Sequence, residues 1–215
     1  KILHFSRENG GERYTKRFNC WIHITVMLYA VIMRFDSLRE ITASLLAETR
    51  KLAHLGITFK IGRSTLADAN KRRPEAIFEA IYRDLYATYR HVLSSDSRSR
   101  KTPKWMKQLQ IIDSTTITLF SNLLFKGVGR HPKTGKKKGG IKVHTVIHAN
   151  EGVPSDIKFT SAATNDSFML KPTTLSKGDI MAMDRAYIDY EKFQQLTERG
   201  VIYVTKMKKK LKYSI

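Results

Sequence analysis

The chain has 215 residues, of which 41% are hydrophobic and 10% aromatic, so it can bury a core and general disorder is excluded. It carries 39 Lys and Arg against 19 Asp and Glu, and the resulting net charge of +20 favours a polyanionic partner, with nucleic acid ahead of an anionic membrane surface. A single cysteine, Cys20, excludes an internal disulfide framework and a cysteine-rich zinc site.

The first part of the chain shows helical periodicity. Residues 17–35, "RFNCWIHITVMLYAVIMRF", are apolar nearly all round, which is typical of a central helix, and they are too short and interrupted to predict a membrane span. Ser37 and Glu40 have the spacing of a capping box and predict the start of a second helix. We therefore predict a helical domain over residues 1–93.

Two further start signals lie in "RSTLADANKRRPEAI". Thr65 with Asp68 predicts the start of one short helix. Pro74 predicts the first turn of another, because its missing N–H has no helical partner at that position. The polar, charged residues 94–104 then predict a linker between two domains.

Beyond this linker the hydrophobic period changes from helical to two, the period of strands. The predicted elements are a strand over 109–120, a hairpin over 141–162, a short irregular connection over 165–175, a strand over 178–184, a helix over 188–200 and a strand over 201–208. Asp189 and Gly200 are the expected caps of the helix. The order mixes antiparallel and parallel pairing, and the whole chain is predicted to be α+β.

One acid interrupts the first strand, "LQIIDSTTITLF". By the period of two, Asp113 shares a face with four aliphatic residues: Leu109, Ile111, Ile117 and Leu119. We expect this face to be buried, and a carboxylate beside it is costly unless it is paired, hydrogen-bonded or bound to a metal.

A second acid, Asp184, stands at the carboxyl end of the short apolar strand "IMAM". Ligand chemistry in open α/β sheets collects beyond such ends. If this strand and the strand of Asp113 are parallel neighbours, the two carboxylates face each other across about 5 Å. Their mutual repulsion is removed by a divalent cation, and oxygen ligands suit Mg²⁺.

Four segments of the second part, "LQIIDSTTITLF", "KTGKKKGGIKVHTVIHANEGVP", "TNDSFML" and "IMAMDRAYIDYEKF", closely resemble the DDE transposases of bacterial insertion sequences, in the insertion-sequence-four group. The helical segment from "MLYAVIMRFDSLREI" to "RSTLADANKRR" resembles the amino-terminal region of the same proteins. The resemblance implies a ribonuclease-H-like catalytic domain over residues 105–215. It also implies that Asp113 and Asp184 are the first and second catalytic acids and hold Mg²⁺ or Mn²⁺.

In this family a third acid, a Glu on a later helix, completes the metal site. The chain stops before any such motif, and Glu191 and Glu198 follow Asp184 too closely to be assigned to that role. We therefore expect an incomplete ribonuclease-H-like domain and an inactive chain. The start at Lys1 and the ending "KKKLKYSI" also suggest a fragment at both ends.

Two basic segments are candidate DNA contacts. The glycine-rich run "KGVGRHPKTGKKKGGIK" contains no acid, and its proposed phosphate ligands are Lys126, Arg130, Lys133, Lys136, Lys137, Lys138 and Lys142. The helical segment "RSTLADANKRR" is the second candidate, as a base-reading helix or simply a charged surface, with Arg63, Asn70, Lys71, Arg72 and Arg73. His144 and His148 share one strand face, where cross-strand hydrogen bonding is favoured over zinc.

These features predict a fragment of a DNA transposase that binds double-stranded DNA, both the terminal repeats of the element and target DNA. A homodimer in the DNA complex, no membrane association, and a cytoplasmic, nucleoid-associated location are further expectations. Two alternatives stay open: a nuclease of the same fold that cuts without joining, and a catalytically inactive DNA-binding protein.

Overall fold

The structure is a computed structural model that describes residues 1–93, 103–118, 129–130 and 139–207. The chain divides into two units, Lys1–Thr88 and Tyr89–Ile215. Of the predicted linker over 94–104, only residues 103 and 104 are among those described.

The first unit is helical, as predicted. Its helices are α1 (Ile2–Glu8), α2 (Cys20–Met33), α3 (Leu38–Ala47), α4 (Thr49–His54), α5 (Arg63–Arg72) and α6 (Glu75–Leu93), the last of which crosses the boundary between the units. The predicted cap of α3 is confirmed, because the Ser37 side chain accepts a hydrogen bond from the N–H of Glu40. The Glu40 carboxylate in turn accepts from the N–H of Asp36, which fixes the entry of the chain into this helix.

The start predicted for α5 is wrong by three residues. The carbonyl of Gly62 accepts the first helical hydrogen bond, from Leu66, so Gly62 and not Thr65 is the N-cap. Gly62 is extended (φ −79°, ψ 151°) and makes no side-chain cap. Thr65 therefore lies in the first turn.

Apolar side chains from most of these helices form the core of the helical unit. Val26, Leu45 and Leu66 are buried in one cluster, and Cys20 and Ile77 are buried in a neighbouring one. Within the described residues no single helix has the length and hydropathy of a membrane span. α2 and α3 reach both only when they are counted together, across a bend of 101°.

The second unit mixes helices and strands. It contains α7 (Lys104–Gln108), β1 (Leu109–Thr118), β2 (Gly129–Arg130), β3 (Gly139–His148), β4 (Pro154–Ser161), β5 (Ile180–Met183), α8 (Tyr190–Glu198) and β6 (Ile202–Thr205). Three short 3₁₀ turns, Asp166–Met169, Pro172–Thr174 and Arg185–Tyr187, join these elements. The predicted strands, hairpin and final helix are confirmed, whereas α7 and β2 were not predicted.

The strands form one mixed sheet in the order β2-β3-β1-β5-β6, with β4 also paired to β3. β3 is antiparallel to β1 and to β4, and β5 is parallel to both β1 and β6. The β3–β4 turn contains Gly152, whose φ of +68° lies in the left-handed region that glycine adopts most readily. This mixed sheet in an α+β chain fits a ribonuclease-H-like domain.

One face of the sheet carries the core of this unit. Ile112 of β1 packs there with Met181 and Met183 of β5 and with residues of α8 such as Leu196. The predicted apolar face of β1 is the opposite one, and its expected burial is wrong, because Ile111 is 40% and Ile117 49% exposed. Asp113 shares this face and is exposed, so it avoids the desolvation penalty that the sequence implied.

α8 begins and ends where predicted. The Asp189 side chain accepts a hydrogen bond from the N–H of Lys192 at 3.3 Å. Gly200, with φ +69°, follows the helix in the left-handed region and leads into β6. Phe193 and Leu196 of this helix are buried against the sheet.

Candidate active site

Asp113 lies within β1, and Asp184 comes directly after its parallel neighbour β5. The last residues in register between β1 and β5 are Ile112 and Met183. Each acid comes one residue later, so the two lie side by side where the β1–β5 pairing ends, at about the 4.8 Å spacing of adjacent strands, although β1 continues beside β3 to Thr118. The condition on which the sequence prediction depended, that the two strands be parallel neighbours, is therefore met.

Each of these carboxylates is anchored by one backbone N–H group. Ser114 donates to Asp113 Oδ1 at 2.7 Å, and Ala186 donates to Asp184 Oδ1 at 2.9 Å. Among the described residues the second oxygen of each carboxylate has no hydrogen-bond partner, and both side chains are exposed. Two adjacent carboxylates with accessible oxygens fit a divalent cation, which prefers oxygen ligands and retains several waters.

A polar cluster lies on the other, buried face of β1. Its centre is Asp166, whose Oδ1 accepts a hydrogen bond from Ser114 Oγ at 2.6 Å and is 3.1 Å from Lys142 Nζ. Lys142 Nζ also donates to the carbonyl of Thr164 at 2.7 Å. His144, across β3 from Ser114, places its Nδ1 3.9 Å from the same carboxylate oxygen. The cluster therefore lies on the face of the sheet opposite to Asp113, next to it along β1.

Tyr187 lies near both acids and near this cluster. It belongs to the 3₁₀ turn that Asp184 caps, and its side chain is 1% exposed. Burial is the main cause that raises the pKa of its hydroxyl to about 12, and the negative charge of Asp166 ranks first among the neighbouring acids that add to this effect. The hydroxyl lies beside Ser114 without a hydrogen bond of good geometry to any described group. The Tyr187 hydroxyl therefore remains neutral beside the site.

No third metal ligand joins the pair in the part of the chain that the structure describes, where no group of three His, Cys, Asp or Glu side chains is arranged to hold a metal ion. Asp166 is engaged with Lys142 and with the hydroxyl of Ser114, on the opposite face from Asp113. Sequence reasoning missed Asp166, Ser114 and Tyr187 as neighbours of the site. For Ser114 a signal was available, because Ser114 and Thr116 are polar residues on one face of an otherwise apolar strand.

Comparison with protein families identifies the family of the chain. A family model described as "Transposase DDE domain" matches residues 104–215, more than half of the chain and all of β1 to β6. The chain belongs to the DDE transposase family. Such a domain implies a divalent metal ion, and the paired acids are the described residues that fit one. A second model, described as a domain of unknown function (DUF4372), matches residues 2–58 in the helical unit.

Two curated relatives are also named as transposases. One, y4zB of Sinorhizobium fredii, is 29% identical over 147 residues, which is 68% of this chain and 37% of the relative. The other, named for the insertion sequence element IS5377 of Geobacillus stearothermophilus, is 23% identical over 156 residues, 73% of this chain and 39% of the relative. The match to this transposase chain thus spans about two fifths of each relative.

Most of the basic run proposed to hold DNA lies outside the described residues. This is the case for Lys126, Lys133, Lys136, Lys137 and Lys138, and only the backbone of Arg130 is described. Lys142, at the end of the run, is not placed to contact a phosphate as predicted. It is 7% exposed and paired with Asp166, because its position in β3 directs it to the buried face of the sheet, so it is unavailable to a phosphate.

Two residues of the second basic segment also depart from their predicted role. The Arg73 guanidinium is buried and donates to the carbonyls of Gly11 and Phe18, so it stabilises the fold of the helical unit and is closed to DNA. The Asn70 carbonyl oxygen is 2.6 Å from Nε2 of the buried His23, which occupies the atom needed for a bidentate contact with adenine. Arg63, Lys71 and Arg72 are exposed on α5, and their role stays a prediction.

His144 makes a cross-strand hydrogen bond, the interpretation that the sequence favoured over a zinc site. It is fully buried, and its Nε2 lies 2.8 Å from Thr160 Oγ1 on β4, a cross-strand hydrogen bond. Burial lowers the pKa of its imidazole, which keeps the ring neutral near Lys142.

Proposed function

We propose that this DDE transposase acts on the ends of an insertion sequence of the insertion-sequence-four group, and that it cuts and joins DNA strands where the pairing of β1 with β5 ends. The proposal is supported by the parallel pairing of these strands up to Ile112 and Met183, after which Asp113 and Asp184 follow side by side. A pair of exposed carboxylates with free oxygens is suited to Mg²⁺ or Mn²⁺.

The reaction proceeds in two displacements at phosphorus. A water oxygen bonds to the scissile phosphorus and gives up a proton to solvent, while the 3′-oxygen leaves and takes a proton from solvent, giving a 5′-phosphate and a free 3′-hydroxyl. That hydroxyl then attacks a target phosphodiester and displaces a target 3′-oxygen, so the number of phosphodiester bonds is unchanged in the second step. Asp113 and Asp184 would hold the metal ions, which would supply activation of the attacking oxygen and stabilisation of the leaving one. Asp113 and Asp184 orient them, and their anchored Oδ1 atoms keep the carboxylates fixed.

The partners in this proposal are the terminal repeats of the element and a target duplex, with a homodimer of the transposase in the DNA complex. The net charge of +20 supports a DNA partner, because basic side chains exchange counterions for phosphates. The helical unit contacts the element ends, and Lys136, Lys137 and Lys138 hold backbone phosphates. We place the protein in the cytoplasm, associated with the nucleoid when it is bound to DNA.

The proposal includes a third acid, a Glu on a later helix, that completes the metal site. It is supported by the pair of acids without a third described ligand and by the curated relatives, of which this chain spans about two fifths. On this proposal the chain alone binds metal and DNA but is inactive, and a version extended at its carboxyl end nicks DNA.

The test is Mg²⁺-dependent nicking of element-end DNA by the extended version. Asp113→Ala and Asp184→Ala should each lower the rate by about a thousandfold or more, because orienting the metal is the main contribution of these residues. Asp179→Ala is the matched control, since it removes an acid at the opposite end of β5 and should retain the rate. An inert extended version, or Asp113→Ala and Asp184→Ala proteins as active as the control, would exclude the enzymatic function.

A second candidate function is DNA binding without catalysis. It is favoured by the lack of a third ligand beside Asp113 and Asp184 among the described residues. It predicts that Asp113→Ala binds DNA as tightly as the unsubstituted chain while the extended version remains inert. A nuclease that only cuts is distinguished by a joining assay, in which nicked element-end DNA fails to become linked to a target duplex.

A further inference from the structure

The buried ion pair behind Asp113 has no obvious structural benefit. The side chains of Lys142 and Asp166 are 9% and 19% exposed, and a buried pair of opposite charges is often no more stabilising than apolar residues of the same size. Thr116 stands opposite Lys142 and Ser114 opposite His144, so the polar groups occupy consecutive cross-strand positions on a face that is otherwise apolar. Their arrangement therefore calls for a role beyond packing.

Ser114 links this pair to the acid in front of it. Its Oγ donates to Asp166 at 2.6 Å on the buried face, and its N–H donates to Asp113 Oδ1 at 2.7 Å on the exposed side. The first bond fixes the side-chain rotamer of Ser114 and holds the backbone at this position. The second bond transmits that constraint to the carboxylate of Asp113.

Asp166 is itself held from two sides. Lys142 Nζ is 3.1 Å from the oxygen that Ser114 contacts, and the same ammonium is fixed by the carbonyl of Thr164, two residues before Asp166. Asn165 caps the 3₁₀ turn in which Asp166 is the first residue, by accepting from the N–H of Ser167. An acceptor with so little freedom is suited to aligning another group, since outer partners of metal ligands act by fixing their orientation.

We propose that Asp166 is a positioning residue for Asp113, acting through Ser114 with Lys142 as its counter-ion. It touches neither DNA nor metal, and it preorganises one of the two carboxylates for the cation. This inference rests on the proposed function, in which Asp113 is a metal ligand. A residue that only stabilises the fold would change the free energy of unfolding and leave the metal affinity of the folded protein as it was.

The test is Mn²⁺ binding by the 215-residue chain, followed by the loss of the electron paramagnetic resonance signal of free Mn²⁺. Asp166→Asn and Ser114→Ala should each weaken binding by about tenfold, the lower end of what outer partners of ligands contribute. Asp179→Asn is the matched control, because it makes the same chemical change at the far end of β5 and should leave the affinity unchanged. Thermal unfolding of each variant shows that the measured protein is folded.

The double variant distinguishes the proposed route. If Asp166 acts through Ser114, the double variant Ser114→Ala/Asp166→Asn should bind Mn²⁺ no more weakly than the weaker single variant. Additive losses, or a folded Asp166→Asn protein with unchanged affinity, would overturn the inference. Should Asp166→Asn fail to fold, Ser114→Ala decides, because it leaves the ion pair in place.

Failure of the proposed function gives a different result. If Asp113→Asn and Asp184→Asn bind Mn²⁺ as the unsubstituted chain does, the paired acids are not the metal site, and both the function and this inference fail. If those two variants lose affinity while Asp166→Asn and Ser114→Ala do not, the inference alone fails.

Discussion

At the scale of a single residue, His23 makes the helical unit sensitive to pH. Its side chain is 1% exposed, and because Nε2 lies 2.6 Å from the carbonyl oxygen of Asn70, that nitrogen carries the proton. The other ring nitrogen, Nδ1, is buried without a hydrogen-bond partner among the described groups. Burial lowers the pKa of His23, and the positive charge of Arg73 acts in the same direction.

The sign of the effect follows from this lowered pKa. Below the ordinary value of about 6.5 the unfolded chain binds a proton that the folded chain resists, so the free energy of unfolding decreases as the pH falls. We expect the helical unit to be most stable above pH 7 and to lose stability between pH 7 and 5. Urea unfolding of a Trp105→Phe variant, followed by the fluorescence of Trp21 on α2, measures this unit.

Two histidine variants check the assignment. His23→Gln retains a donor for Asn70 without a titrating ring, so it should flatten the decrease between pH 7 and 5. His54→Gln changes an exposed histidine of the same unit and should retain the decrease. Equal pH dependence in the His23→Gln and unsubstituted proteins would contradict the role of His23.

Single residues also show what the sequence could not reveal. Arg73 and Lys142 stand in strongly basic stretches and were predicted to contact DNA, yet both are buried. Arg73 bonds to Gly11, 62 positions away, and Lys142 bonds to Thr164, 22 positions away. Local charge density carries no information about such distant partners. Asp113 was selected because a lone acid in an apolar strand conflicts with its neighbours; the structure shows that this face is exposed, and the catalytic role of Asp113 stays a prediction.

At the scale of elements, the start of α8 depends on one side chain. Asp189 accepts from the N–H of Lys192, one of the four donors that a helix leaves unpaired at its start. Asp189→Ala should lower the free energy of unfolding of the second unit by about 1 kcal/mol. Asp189→Asn retains the acceptor and should lower this free energy by about a few tenths of a kcal/mol at most. Urea unfolding of a Trp21→Phe variant, followed by Trp105 fluorescence, measures this difference. Equal losses would assign the effect to the charge and not to the cap.

The elements divide into those that local signals determine and those that tertiary pairing determines. The strands, the β3–β4 hairpin and α8 were predictable because period, turn residues and caps are local features. Strand order was only conditional, since nothing within β1 specifies that β5 is its parallel neighbour. The period of two identifies which residues share a face but not which face is buried. For this reason the face of Ile111 and Asp113 was expected to be buried, whereas Ile112, on the other face, packs in the core.

At the scale of the whole molecule, a net charge of +20 makes DNA affinity depend on salt. Each phosphate contact releases counterions, so the logarithm of the binding constant falls with the logarithm of the salt concentration in proportion to the number of contacts. Lys136, Lys137 and Lys138 are the predicted contacts whose loss removes most charge in one step. Their replacement by Ala should reduce the magnitude of the slope by about 2 to 3, at roughly 0.9 per contact.

Fluorescence anisotropy of a labelled duplex, titrated between 50 and 300 mM salt (a range of about sixfold), measures this slope. The control replaces three exposed lysines elsewhere, Lys1, Lys51 and Lys177, and lowers the net charge by the same amount. Lys1 and Lys51 already pair with Asp84 and Glu48, so we expect little change in the slope. If both triple variants flatten the slope equally, the overall charge attracts DNA and the basic run is not a contact. If only the run variant does, the run lies on the phosphates.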